Sequence, residues 1–93
     1  MKEKTIEQYL VDEVQRLGGI AYKFTSPARR NVPDRIVTLP GGILAFVELK
    51  RPGEKPTKGQ AREHDRLRDL GQRVYVIDTL DGVDQSLMDM GLF

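Results

Sequence analysis

From Thr5 to Leu17 apolar side chains recur at Ile6, Leu10, Val14 and Leu17, a spacing that lays one stripe along a helix. Thr5 and Gln8 fit a capping box at its start, and Gly18-Gly19 supplies its stop. Ile20 to Phe24 is a short β-prone run, and Thr25 to Pro33, with Pro27 and Pro33 among Ser26, Arg29, Arg30 and Asn31, reads as an exposed loop. Two apolar runs follow, Asp34 to Leu39 and Ile43 to Lys50, and the Pro40-Gly41-Gly42 between them is a strong hairpin signal. Beyond a polar loop from Arg51 to Pro56, Thr57 opens a second helix. Gln60 completes its capping box, Gly71 is its C-cap, and its inner stripe is Gln60, His64, Leu67 and Leu70 or Gly71. Arg73 to Asp78 predicts a further strand, and Asp81 to Met90 a last short helix with Val83, Leu87 and Met90 on one side. The order αβββαβα predicts an α/β fold in which a mixed sheet is flanked by helices.

The hairpin carries a charge pattern that an ordinary hairpin would avoid. A connection of three residues makes Leu39 face Ile43, and the same register continued down the strands sets Asp34 opposite Glu48. Like charges in that relation cost a few tenths to about 1 kcal/mol unless something positive sits between them. A divalent cation would supply it, and Mg²⁺ is content with one or two carboxylates, waters and a substrate phosphate. Alternation places Phe46, Glu48 and Lys50 on one face, with Lys50 about 6 to 7 Å beyond Glu48, within reach of an attacking water or a charged phosphate. The plainer alternatives are a simple Pro33-Asp34 turn, a solvent-facing Glu48–Lys50 pair, or a register slip that parts the two acids. Glu7, at the edge of the first apolar stripe, either faces the site or serves the helix dipole. Gln60 either caps its helix or joins the site, and His64, one turn further on, reads as a packed core residue.

Composition bounds the rest. The chain of 93 residues is expected to form one domain, 1–93, and its 26 Leu, Ile, Val and Phe suffice for a core. A core this small favours self-association. With no cysteine, a disulfide framework, thiolate zinc and a thiol nucleophile are excluded, and a cytoplasmic setting is natural. The longest apolar run, Ile43 to Val47, is five residues, so no membrane span is expected. Net charge is only +1, yet residues 22–35 carry +3 and residues 50–68 carry +4, offset by −4 over residues 69–93. That asymmetry suggests a phosphate-facing surface, with Lys23, Arg29, Arg30 and Arg35 on one side and Lys55, Lys58, Arg62 and Arg66 on the other as candidate DNA contacts.

The run Arg30-Asn31-Val32-Pro33-Asp34, then Val47-Glu48-Leu49-Lys50, then Pro56-Thr57-Lys58-Gly59-Gln60, after a helix carrying Glu7, resembles the PD-(D/E)XK nuclease superfamily, and within it the virus-type replication-repair nuclease (VRR-NUC) domain. The resemblance extends from Glu7 to Asp78. It implies metal-dependent hydrolysis of DNA phosphodiesters, with Asp34, Glu48 and the backbone carbonyl of Leu49 as metal ligands, Lys50 as the catalytic lysine, and Gln60 and Glu7 in support. Mg²⁺ is the implied ion, with Mn²⁺ able to substitute, and no small-molecule cofactor is implied. Similar stand-alone proteins are associated with phages and bacteria, which implies the host cytoplasm, and they look like structure-specific endonucleases, including resolvases of four-way (Holliday) junctions. Resolution by paired nicks requires a homodimer, with Met88, Met90, Leu92 and Phe93 either as a candidate contact or as a simple C-terminal cap on the core. Where many members carry Gly two residues before the Pro, this chain has Asn31, which tolerates a left-handed backbone. The alternatives are a nuclease acting on flaps, single strands or duplex, and a catalytically silent nucleic-acid-binding module.

Overall fold

In the computed structural model, which describes residues 1–91, α1 (Glu3–Arg16), β1 (Ile20–Lys23), β2 (Arg35–Leu39), β3 (Ile43–Leu49), α2 (Lys58–Asp69), β4 (Val74–Ile77) and α3 (Leu80–Asp89) follow one another. This is the predicted αβββαβα succession. The strands form one sheet in the order β1-β2-β3-β4. The β1/β2 and β2/β3 pairs are antiparallel and β3/β4 is parallel, so the sheet is mixed. In the hairpin Leu39 pairs with Ile43 and Arg35 with Val47, the register that the three-residue connection predicts. Gly41 and Gly42 both take positive φ, 87° and 77°, which the tight reversal demands and a side chain would resist.

Alternation then divides the sheet into two faces. Ala21, Val37, Leu39, Ala45, Val47 and Leu49 point to one side, where they meet Ile6, Leu10 and Val14 of α1 and Val83 and Leu87 of α3 in the apolar core. Burying each of these branched side chains contributes roughly 1.5–3 kcal/mol, which is what pins the register. Phe46, Glu48 and Lys50 therefore point the other way, where α2 covers Glu48 through Gln60 and His64. The sheet is flanked by α1 and α3 on the core side and by α2 on the side of Glu48 and Lys50.

Two local expectations are corrected and one alternative is narrowed. The Thr5–Gln8 box does not form, because α1 starts earlier: the amides of Thr5 and Ile6 already donate to the Lys2 carbonyl, and the Gln8 amide turns to Asp12. The inner stripe of α2 does not reach Leu70, which is 75% exposed at the C-cap; the buried residues of that helix are Glu63 and His64. Of the apolar end, Met90 is buried and Met88 exposed, while Leu92 and Phe93 lie outside the described residues.

Candidate active site

Asp34 stands where the loop becomes a strand. Its carbonyl accepts from the Phe24 amide at 2.9 Å, extending the β1–β2 ladder by one rung and fixing the position of the side chain. That side chain crosses to β3, where Oδ2 accepts the Leu49 amide at 2.8 Å. On the other edge of β3 the Lys50 amide donates to the Ile77 carbonyl at 2.9 Å. Since that peptide is trans, the Leu49 carbonyl points away from β4, toward the Asp34 side. One carboxylate and one backbone carbonyl thus converge on the same edge of β3.

Glu48 completes the set. It is 2% exposed, and burial foremost, then the charge of Asp34, pushes its carboxyl up to about 7 against the opposing pull of Lys50. Hydrogen bonding between the Asp34 and Glu48 carboxyls, when one holds the proton, raises it further. The two acids are therefore side by side, as the hairpin register predicts. Oε2 of Glu48 accepts from Gln60 Nε2 at 3.2 Å and lies 3.6 Å from Lys50 Nζ. Oε1 is buried without a hydrogen-bond partner among the described residues, and so is His64 Nε2, 3.8 Å away. Burial foremost, then the Arg68 charge, lowers the pKa of His64, so the imidazole adds no charge to offset the two acids near neutral pH.

Gln60 resolves a choice that the sequence leaves open, because it does both things at once. Its Oε1 accepts from the Thr57 amide at 2.9 Å and from Lys50 Nζ at 2.8 Å, while the Thr57 hydroxyl accepts the Gln60 amide at 3.1 Å. The capping box of α2 and the clamp on Lys50 and Glu48 share one side chain. Sharing is possible because the cap turns the Gln60 carboxamide back over the end of β3.

A divalent cation fits this donor set. Two carboxylates and a carbonyl are hard oxygen ligands, and an unpartnered buried carboxylate oxygen beside a second acid is the defect that such an ion corrects. No cluster of three or more His, Cys, Asp or Glu side chains at metal-binding spacing occurs among the described residues. The carboxylate pair would therefore rely on backbone, water and substrate for its remaining ligands, which is the habit of Mg²⁺.

On the first helix, Glu7 is engaged by an arginine. Glu7 Oε2 accepts from Arg35 Nε at 2.9 Å, and Arg35 Nη1 also donates to the Ala21 carbonyl at 2.8 Å, so this pair braces α1 against β1 and β2. Glu3, one turn earlier, is raised above the ordinary carboxylate range by burial, then by Asp34, Glu54 and Glu7, with Lys50 pulling the other way. Glu3 thus lies within the electrostatic reach of the site. Its spacing of four from Glu7 was a usable signal, hidden because the expected helix began at Thr5. Of the basic candidates, Lys23, Lys55 and Lys58 are exposed, and Arg29, Arg30, Arg62 and Arg66 line one cleft between residues 28–31 and α2.

No protein-family model matches the chain. A curated protein named "Putative nuclease p44", from Acyrthosiphon pisum secondary endosymbiont phage 1, is 59% identical over 81 residues, 87% of each chain. A solved structure described as "VRR_NUC domain" is 35% identical, covers 94% of each chain and superposes with a TM-score of 0.86. With the hairpin acids, the lysine and the capping glutamine in the arrangement described above, the chain belongs to the VRR-NUC nuclease family of the PD-(D/E)XK superfamily.

Proposed function

We propose that this protein is a Mg²⁺-dependent DNA endonuclease that acts on branched DNA, most specifically as a resolvase of four-way junctions. The observation that carries the metal-dependent chemistry is the Asp34–Glu48 pair, in which Glu48 is buried beside Lys50 with one of its oxygens left without a partner. Asp34, Glu48 and the Leu49 carbonyl are the ligands in this reading, with Glu3, whose carboxyl feels the Asp34 charge, as the supporting acid of α1. The ion, when bound, supplies Lewis acidity toward a phosphate oxygen and lowers the pKa of a coordinated water. Lys50, its ammonium fixed by Gln60 Oε1, holds a positive charge where the phosphate gains negative charge and orients the incoming water. Gln60 keeps Lys50 and Glu48 at a constant separation. Glu7 and Arg35 act by bracing α1 rather than by touching DNA.

Paired nicks at a junction require two sites, hence a homodimer. The sheet face opposite the core offers the surface for it. Ile20, Tyr22 and Leu44 are 53%, 52% and 40% exposed there, away from α2. They support a sheet-face contact better than the C-terminal segment does, because Met90 belongs to the core.

The test is incubation of the protein with matched four-way junction, flap, single-stranded and duplex DNA, in Mg²⁺ or in chelator. Cleavage of the junction by symmetric nicks, abolished by chelation, is the expected result. Preferential cutting of another substrate overturns the resolvase assignment, and binding with no products in Mg²⁺ or Mn²⁺ overturns the enzyme.

A further inference from the structure

The cleft between residues 28–31 and α2, about 290 Å³ in volume, is lined by Arg29, Arg30, Arg62 and Arg66 around one carboxylate, Glu63. Glu63 is only 6% exposed, and its Oε1 accepts from Arg29 Nη2 at 3.2 Å and from Arg66 Nη1 at 3.0 Å. The two guanidinium groups hold its carboxyl below the usual carboxylate range, so it stays ionised and pins one arginine from the loop and one from the helix. Arg30 and Arg62 are different. Both are exposed, and among the described residues neither has a side-chain hydrogen bond or an ion pair. Four cations facing one anion repel one another unless a further anion enters.

The walls of this cleft are built rather than incidental. Asn31 adopts a left-handed backbone, φ 66°, and its side chain packs so closely on α2 that a Cβ at Gly59 would lie 2.6 Å from Asn31 Nδ2. The loop is thereby seated on the first turn of the helix, and Arg29 and Arg66 are held by Glu63 before any ligand arrives, leaving Arg30 and Arg62 free to meet it.

Helical geometry relates this cleft to the active site. At 100° per residue, Gly59, Arg62, Glu63 and Arg66 occupy one arc of α2, and Gln60 and His64 the neighbouring arc that covers Glu48. Gln60 to Arg66 is about 9 Å along the axis. Arg62 is only about 3 Å from Gln60 along the same axis, so a strand that passes Lys50 can bring a neighbouring phosphate to the cleft.

We infer that the Arg29–Arg30–Arg62–Arg66 cleft is a preformed site for a second, non-scissile backbone phosphate of the DNA strand, gripped by Arg30 and Arg62. It rests on the nuclease reading for the frame of the strand. The site sets where along the strand the scissile bond falls, because it fixes one phosphate at a constant distance from Lys50.

The experiment measures binding in chelator, by fluorescence anisotropy, to a four-way junction and a flap whose branch points define position. A single neutral methylphosphonate is moved one nucleotide at a time along the strand. For the wild-type protein, one or two adjacent positions are expected to weaken binding about three- to tenfold. Arg30→Ala or Arg62→Ala should lose that sensitivity, and each should reduce the slope of log Kd against log salt by about 1, while Arg73→Ala, at the opposite end of β4 from the site, keeps both. Melting curves verify that each variant is folded. If the arginine variants respond to every neutral position as the wild type does, or keep the full slope, the second phosphate site is overturned. Cleavage of the same DNAs in Mg²⁺ separates the two readings. Coupling without cleavage sinks the nuclease and retains the cleft, and cleavage without coupling does the reverse.

Discussion

Glu48→Gln should make the metal-free protein more stable at alkaline pH. In the folded protein the Glu48 carboxyl is pushed up to about 7 from an ordinary 4.5, chiefly by burial and next by Asp34. The folded state therefore holds the Glu48 proton where the unfolded state has already released it. Stability must fall as pH rises from about 4.5 through 7, and the full penalty is present above that. A shift of that size corresponds to about 3 kcal/mol. Glutamine removes the penalty but also loses the attraction to Lys50, so a net gain of about 1 to 2 kcal/mol is expected at pH ~8.5. For a domain of this size each kcal/mol moves Tm by about 4–8 °C. Thermal melts of both proteins in chelator from pH ~5 to ~9, followed by circular dichroism, measure it. The difference between variant and wild type is the relevant quantity. His64, with its lowered pKa, titrates with the opposite sign in part of that window, and because it lies 3.8 Å from Glu48 the same pair of curves is also recorded in a His64→Asn background. Millimolar Mg²⁺ should raise Tm of the wild type at alkaline pH and leave Glu48→Gln unmoved. A difference that does not change with pH, or a variant less stable than the wild type at pH ~8.5, refutes the buried-charge argument and with it the reason to put a cation beside Glu48.

Lys50→Ala is expected to retain the Mg²⁺-induced rise in Tm and DNA binding while losing at least about 100-fold in cleavage rate, measured by single-turnover nicking; unimpaired cutting removes the lysine from the chemistry. Gln60→Ala should cost about 1 kcal/mol of stability as its half of the capping box disappears, and should slow cleavage as well because Lys50 loses its acceptor; a loss in only one of the two readouts contradicts the shared role. Glu3→Gln should weaken Mn²⁺ affinity, measured by electron paramagnetic resonance, more than Glu7→Gln, whereas Glu7→Gln should lower Tm more because Arg35 loses its partner. The reverse ranking would return Glu7 to the site.

The hairpin and the placement of its acids were legible because their signals are local. Pro40-Gly41-Gly42 dictates the reversal, the reversal dictates the register, and the register sets Asp34 beside Glu48 with Lys50 two residues on. The capping box at Thr57 was legible for the same reason, since every atom it uses lies within four residues. What escaped depends on distant partners. Arg35 looked like a DNA contact in the string, and only the packing of α1 across the sheet brings Glu7 to it. The Thr5 cap is the local exception, since the helix begins at Glu3 and the amides that a cap at Thr5 would serve already lie inside it. The pinning of Arg29 and Arg66 by Glu63 joins positions 34 residues apart on one side, a relation no periodicity expresses.

The double use of Gln60 joins chemistry to the most frayable part of a helix. Opening the first turn of α2 would break its cap and, in the same motion, unlatch the ammonium and carboxylate that the carboxamide ties together. Warming should then idle the enzyme through local loosening well below the temperature at which the sheet comes apart, and whatever stiffens that single turn should widen its working range.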